Sequence, residues 1–247
     1  MLRAILFDFD QTLVNSAPGF RQAEHWLQRE MHGGLRGVDW EPFLGLYRQI
    51  RDAPRQDESP AAKRGQWRQV CQHFGATPDR ATWDAWEAGY WQRVEAGTAP
   101  LPGAVELLAR LRARFALGLV TNAASTGGQG LRCRKFPGLL ACFQAVVVCG
   151  EDGLPPKPAP AGILRAVAAL NVGPPEAVLV GDNWETDVLG ARAAGVFPVW
   201  LRHASIVRRA PETVPDDIPL LDSLQPLARL QPGDSPEQIR VKLRSTV

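Results

Sequence analysis

The chain has 247 residues, with 28 Lys and Arg against 26 Asp and Glu, so its formal net charge is +2 at pH 7. This near balance argues against the basic surplus of nucleic-acid-binding proteins and against an acidic tail. No apolar run approaches the roughly 20 residues of a membrane-spanning helix, the first residues do not resemble a signal peptide, and four dispersed cysteines indicate no disulfide framework. We therefore expect a cytoplasmic globular protein without a nucleic-acid or membrane partner.

Short apolar runs with little polar alternation recur along the chain, as expected of strands buried on both faces. Helical stretches separate the later runs, and this alternation predicts an α/β fold with a doubly wound parallel sheet. The predicted strands are 4–10, 115–122, 145–150, 177–182, 197–202 and a short one near 217–221, and the predicted helices are 102–114, 158–171 and 184–195. Ligands of such sheets bind outside the carboxyl ends of the strands, so candidate residues are sought there.

Residues 15–99 interrupt this alternation with helical periodicity alone, and six of the eight tryptophans lie there. At helical spacing these aromatic residues are more typical of a bundle core than of a substrate platform. Thr77 followed by Pro78 predicts a helix start with Thr77 as the N-cap. The segment is therefore predicted to be an inserted helical domain, with Thr98 to Gly103 as the return to the sheet.

Two acids, Asp8 and Asp10, end the first predicted strand. Residues two apart on an extended backbone face the same way, so both carboxylates can address one ligand. Neighbouring carboxylates repel unless a cation compensates them, and a set of oxygen ligands suits Mg²⁺. An acidic turn without a ligand is the alternative at this point.

The other strand ends carry weaker signals when taken one at a time. The second ends in Thr121 and Asn122, which bind anionic oxygens but are also ordinary turn residues. Lys157 lies in a proline-rich loop after the third strand, where a solvated surface lysine is the alternative. The fourth strand ends in Asp182, and Asp187 follows near a helix start, where an acid also complements the helix dipole.

Taken in order, these strand ends resemble the four motifs of the haloacid dehalogenase superfamily, DxDxT, S/T, K and GDxxxD. The resemblance covers a core of residues 1–14 and 98–225, and the helical segment 15–97 lies where the family has its C1 cap. Residues 226–247 would then form a C-terminal extension. The sequence is most similar to the phosphatase branch, which includes sugar-phosphate and nucleotide phosphatases.

The resemblance implies that Asp8 is a nucleophile that forms an aspartyl-phosphate, with Asp10 as the general acid and base. It implies a Mg²⁺ cofactor held by Asp8, the backbone carbonyl of Asp10 and Asp182, with Asp187 ligating it or orienting it through water. Lys157 would be catalytic as well. The residues implied to hold the phosphoryl oxygens are Thr12, Thr121, Asn122 and Lys157.

Asp10 also separates two chemistries of the superfamily, because dehalogenase members lack an acid there and need no Mg²⁺. The resemblance therefore implies a phosphatase for a small phosphomonoester, either a sugar phosphate or a nucleotide. A phosphomutase of the same family and a non-catalytic phosphometabolite-binding protein are the alternatives. Two positions depart from the family pattern: Gln11 and Ala123 stand where glycine is common.

Overall fold

The structure is a computed structural model that describes residues 1–53, 60–123, 132–202 and 211–244. These residues divide into two compact units. The core unit comprises Met1–Asn15, Ala99–Ala123 and the described residues from 132 onward, and the helical unit comprises Ser16–Thr98. Within the described ranges, no helix has both the length and the apolar character needed to cross a membrane.

A parallel six-stranded sheet with the order β5-β4-β1-β6-β7-β8 forms the centre of the core unit, and a separate pair, β2 and β3, is antiparallel. The strands are β1 (Ala4–Phe7), β2 (Val14–Asn15), β3 (Ala99–Pro100), β4 (Ala116–Asn122), β5 (Ala145–Cys149), β6 (Ala177–Gly181), β7 (Phe197–Leu201) and β8 (Leu220–Leu221). Because β1 pairs with both β4 and β6, the carboxyl ends of these three strands lie side by side. The predicted parallel α/β fold is confirmed.

Helices cover both faces of this sheet and also form the helical unit. They are α1 (Ala17–Gly33), α2 (Trp40–Asp52), α3 (Pro60–His73), α4 (Arg80–Ala96), α5 (Ala104–Arg112), α6 (Pro137–Leu140), α7 (Ala161–Ala169), α8 (Gly190–Ala193) and α9 (Pro236–Leu243). Ile5 and Phe7 of β1 belong to the same apolar cluster as α5, whereas Ala4 and Leu6 belong to the cluster of α7. Both faces of β1 are therefore buried, which explains the missing polar alternation.

Two predicted elements differ from the structure near the sheet. The first strand stops at Phe7, three residues early, because the chain turns there: the amides of Leu13 and Val14 both donate to the carbonyl of Phe9. The helix predicted over 184–195 is a wide π-helical turn, Trp184–Leu189, that continues into α8.

The segment after residue 225 packs within the core unit. Leu227, Leu230 and Leu243 are fully buried in the cluster that contains β1. The backbone of Leu2 exchanges two hydrogen bonds with this segment, donating to the carbonyl of Asp234 and accepting from the amide of Gly233. The C-terminal residues therefore close the apolar face around β1.

The helical unit is held by an aromatic core, and Trp67, Trp83 and Trp86 are buried in it. The prediction that tryptophans of this segment form a core is confirmed. The predicted helix start at Thr77 and Pro78 is wrong, because α4 begins at Arg80. Asp79 is the N-cap instead, and its carboxylate accepts from the amide of Thr82 at 2.8 Å.

One polar cluster joins the four helices that the structure describes in this unit, α1 to α4. The Glu24 carboxylate accepts hydrogen bonds from the hydroxyls of Tyr47 (2.6 Å) and Tyr90 (2.8 Å) and from the Lys63 ammonium (3.1 Å). Burial alone would raise the pKa of Glu24, but the charge of Lys63 and these hydrogen bonds outweigh burial and lower the pKa below its usual value. The carboxylate is therefore held in its charged form.

Candidate active site

Asp8 follows β1 directly, and its amide donates to the carbonyl of Val180 on β6 at 2.9 Å. The chain then turns sharply, and Gln11 has a φ of 62°, in the left-handed region. A side chain in this conformation costs on the order of 1 kcal/mol, which glycine avoids. The first departure from the family pattern therefore lies where the backbone favours glycine. Ala123, the second departure, is not among the described residues with a positive φ.

Lys157 is buried, with 2% of its surface exposed, so the alternative of a surface lysine is wrong. Its ammonium donates to Oδ1 of Asp8 at 2.8 Å, to Oδ1 of Asp187 at 2.7 Å and to the carbonyl of Val120 at 2.9 Å. Burial would lower the pKa of Lys157, but the two carboxylates raise it well above its usual value. All three N–H donors of the ammonium have acceptors.

Three buried carboxylates, those of Asp8, Asp182 and Asp187, form a cluster whose oxygens lie within 4.8 Å of one another. Burial raises the pKa of Asp8 to about 6, with Asp187 and Asp10 adding to the rise and Lys157 opposing it. With all groups ionised, three carboxylates and one ammonium leave two excess negative charges. An oxygen-only set with this charge fits a divalent cation such as Mg²⁺.

Asp187 is oriented by its own turn as well as by Lys157. Its Oδ2 accepts from the amide of Asn183 at 3.0 Å, and Oδ1 accepts from the hydroxyl of Thr186 at 3.3 Å. A Cβ on Gly181 would overlap the carboxyl carbon of Asp187. Only glycine at the end of β6 therefore leaves room for this carboxylate, and the hydrogen bonds to both oxygens favour an orienting role for Asp187.

Asp10 is half-buried and lies outside the cluster of three carboxylates, although its charge contributes to the raised pKa of Asp8. Thr12 is fully buried, and its hydroxyl lies 3.5 Å from Oδ2 of Asp8, so this geometry favours support of Asp8 over contact with phosphate. Thr121 is also buried at the end of β4.

The side chain of Asn122 contacts the proline-rich loop that contains Lys157. Its Oδ1 accepts from the amide of Lys157 at 2.8 Å, and its Nδ2 donates to the carbonyl of Lys157 at 3.2 Å. The resemblance implies that this amide holds phosphoryl oxygens, and that role stays a prediction. In the structure both polar atoms of the side chain contact the backbone of Lys157.

Sequence reasoning missed Trp200, a fully buried residue of β7. Its indole Nε1 donates to the carbonyl of Asp182 at 2.9 Å, and its ring packs edge-on against Trp184. A tryptophan in an apolar strand has no sequence signal for this contact, because the partner lies 18 residues earlier in the chain.

Comparison with known proteins shows the family of the chain. The family of haloacid dehalogenase-like hydrolases matches residues 2–195. A phosphoserine phosphatase of Thermus thermophilus is 30% identical, over 87% of this chain and 94% of its own length. A glyceraldehyde 3-phosphate phosphatase of Methanopyrus kandleri is 29% identical, over 93% and 100%. A phosphoglycolate phosphatase of Escherichia coli is 28% identical, over 82% of each chain.

Solved structures agree on the fold. A haloacid dehalogenase phosphatase of Thermococcus onnurineus has a TM-score of 0.63 at 24% identity, covering 92% of this chain and 96% of its own. A 2-haloacid dehalogenase of Pseudomonas syringae has a TM-score of 0.62 at 24% identity, covering 97% of this chain and 98% of its own.

The chain belongs to the haloacid dehalogenase-like hydrolase family. Its curated relatives named above are phosphatases of that family.

Proposed function

We propose that this chain is a Mg²⁺-dependent phosphatase that hydrolyses a small phosphomonoester through an aspartyl-phosphate on Asp8. The observation that carries the proposal is the buried cluster of Asp8, Asp182 and Asp187 around Lys157 at the adjoining ends of β1 and β6. Similarity to phosphatases for three different small phosphate esters supports the reaction class. We also propose that the segment 15–97 is the family's cap. A cytoplasmic location stays a prediction.

In the first step, the Asp8 carboxylate attacks phosphorus and the bond from phosphorus to the ester oxygen breaks. Asp10 gives its proton to the departing oxygen, so the alcohol leaves neutral. Lys157 holds Oδ1 of Asp8 at 2.8 Å and fixes the carboxylate for this attack. Positioning of this kind supplies much of the catalysis in phosphoryl transfer.

In the second step, water attacks the phosphorus of the aspartyl-phosphate and Asp10 takes the proton of that water. The bond between phosphorus and Asp8 breaks, and the step returns the Asp8 carboxylate, protonated Asp10 and inorganic phosphate. Mg²⁺ bound by Asp8, the Asp10 carbonyl and Asp182 would supply positive charge to the transferring phosphoryl group. Asp187 would then orient the site through Lys157 and its own turn.

The test is phosphate release from a panel of esters with Mg²⁺ or with EDTA. The panel contains p-nitrophenyl phosphate, phosphoserine, glyceraldehyde 3-phosphate, phosphoglycolate, sugar phosphates and nucleotides. We expect activity that requires Mg²⁺ and is lost in Asp8→Asn, whereas Asp222→Asn, the same change at an exposed residue, keeps it. Activity that is retained in EDTA or in folded Asp8→Asn protein would contradict the proposal.

Two further measurements separate the alternatives. Acid quenching after labelled substrate should leave hydroxylamine-labile phosphate on the wild-type protein and none on Asp8→Asn. Transfer of the label to a second hydroxyl with little free phosphate would favour a phosphomutase. Binding of phosphate esters with Mg²⁺ but without turnover would favour a non-catalytic binding protein.

A further inference from the structure

One strand, β4, contacts both ends of Lys157. The carbonyl of Val120 accepts a hydrogen bond from its ammonium at 2.9 Å. The side chain of Asn122, two residues later, accepts from the backbone amide of Lys157 and donates to its backbone carbonyl. Asn122 accepts one of these hydrogen bonds and donates the other, as a residue of a paired strand does. Asn122 and Lys157 are 35 residues apart, so this contact is tertiary.

The composition of the loop makes this contact important. Four of the six residues from 155 to 160 are prolines, which have no N–H, so Lys157 and Ala159 supply the only backbone donors of this stretch. The amide of Ala159 is used within the loop, where it donates to the carbonyl of Pro156 at 3.0 Å. The amide of Lys157 is the donor that joins this stretch to β4, and Asn122 is its acceptor.

We propose that Asn122 is a positioning residue, which acts on the reaction through Lys157 and not by holding phosphate with its side chain. This inference rests on the proposed phosphatase function. The two hydrogen bonds between the Asn122 side chain and the Lys157 backbone, here called the Asn122 clasp, fix the position of the Lys157 backbone. Val120, Asp8 and Asp187 fix the position of its ammonium. Loss of the clasp would let the backbone of Lys157 shift, and misplacement by about 1 Å costs up to about 100-fold in rate.

The first experiment compares kcat, KM and inhibition by inorganic phosphate in wild type and Asn122→Ala, with p-nitrophenyl phosphate and Mg²⁺. We expect kcat to fall about 10- to 100-fold while KM and the inhibition constant change less than about threefold. Gln144→Ala is the matched control, because the side chain of Gln144 also accepts a hydrogen bond from a backbone amide, that of Leu117 in β4 at 2.7 Å. It should keep wild-type kcat, and thermal unfolding should show that both variants are folded.

The second experiment combines Asn122→Ala with Lys157→Gln. If Asn122 acts through Lys157, the double variant should be slower than Lys157→Gln by less than about twofold, since coupled residues are non-additive. Losses that multiply would overturn the proposal. A rise in KM and in the phosphate inhibition constant at unchanged kcat would also overturn it, in favour of direct phosphate binding. Lower stability at unchanged kcat would overturn it as well, because the clasp would then be a structural contact without an effect on the reaction. A wild-type protein that releases no phosphate would instead refute the phosphatase function itself.

Discussion

Replacement of Lys157 by methionine tests whether the buried cluster has the charge balance described above. Each contact of the ammonium with Asp8 or Asp187, at 2.7–2.8 Å, is worth on the order of 6 kcal/mol at an effective dielectric constant of 20. Desolvation offsets several kcal/mol of this for each ion. Removal of one partner of a buried ion pair costs about 3–5 kcal/mol, because the other charge stays buried without compensation. We therefore expect Lys157→Met to lower the free energy of unfolding by about that amount.

A second substitution separates charge from packing. Adding Asp187→Asn to Lys157→Met removes one of the uncompensated charges at nearly constant volume, so it should recover at least about 1 kcal/mol. Arg165→Met is the control, since it removes a positive charge at an exposed position of α7, and it should change stability by less than about 0.5 kcal/mol.

The assay is urea unfolding of all four proteins at neutral pH with EDTA present. A loss below 1 kcal/mol in Lys157→Met, or a double variant less stable than Lys157→Met itself, would refute the reasoning. The first result would mean that the carboxylates are not charged in the folded state, and the second that Asp187 is held by its own turn without need of Lys157.

Three further outcomes follow from other contacts. Gly181→Ala should displace the carboxylate of Asp187 and reduce kcat at least about 10-fold in phosphate-release assays. Normal activity would contradict this and would mean that the backbone at the end of β6 moves to make room for the methyl group. Trp200→Phe removes the indole donor to the carbonyl of Asp182, so Mg²⁺ affinity measured by calorimetry should fall about 10-fold; unchanged affinity would contradict this. Glu24→Gln should lower the free energy of unfolding, and the whole loss should be present above about pH 4.5. Because the pKa of Glu24 is lowered in the folded protein, the stability that its charge contributes is lost as the pH falls through that lowered pKa. Chemical unfolding at several pH values measures the difference between the two proteins, and a difference that does not change with pH would contradict this prediction.

The apolar runs and the acids that follow them could be predicted from sequence, because β strands buried on both faces leave a local signature. The burial of Lys157 could not be predicted from local pattern alone. It depends on β1 lying between β4 and β6, which brings Asp8, Val120 and Asp187 around one ammonium. Long-range strand order decides such contacts, and a proline-rich loop gives no sign of them.

Asn122 shows a different limit. Its residue type fits phosphate binding, a turn and a backbone clasp equally well, since an amide is both donor and acceptor. The choice among these depends on which group comes within hydrogen-bond distance, and here that group is the backbone of Lys157. The start of α4 is a similar case, because Asp79 competes with Thr77 as the N-cap and makes the hydrogen bond.

We expect the charge of the cluster to link metal binding to substrate binding. Asp8, Asp182 and Asp187 with Lys157 carry two excess negative charges, which repel a phosphate dianion as strongly as they attract a divalent cation. Inorganic phosphate should therefore bind at least about 10-fold more tightly with Mg²⁺ than with EDTA, and by linkage phosphate should tighten Mg²⁺ binding by the same factor. Calorimetry in both orders of addition measures the two factors. Equal phosphate affinity with and without Mg²⁺ would contradict this reasoning, because it would mean that the carboxylates do not repel bound phosphate.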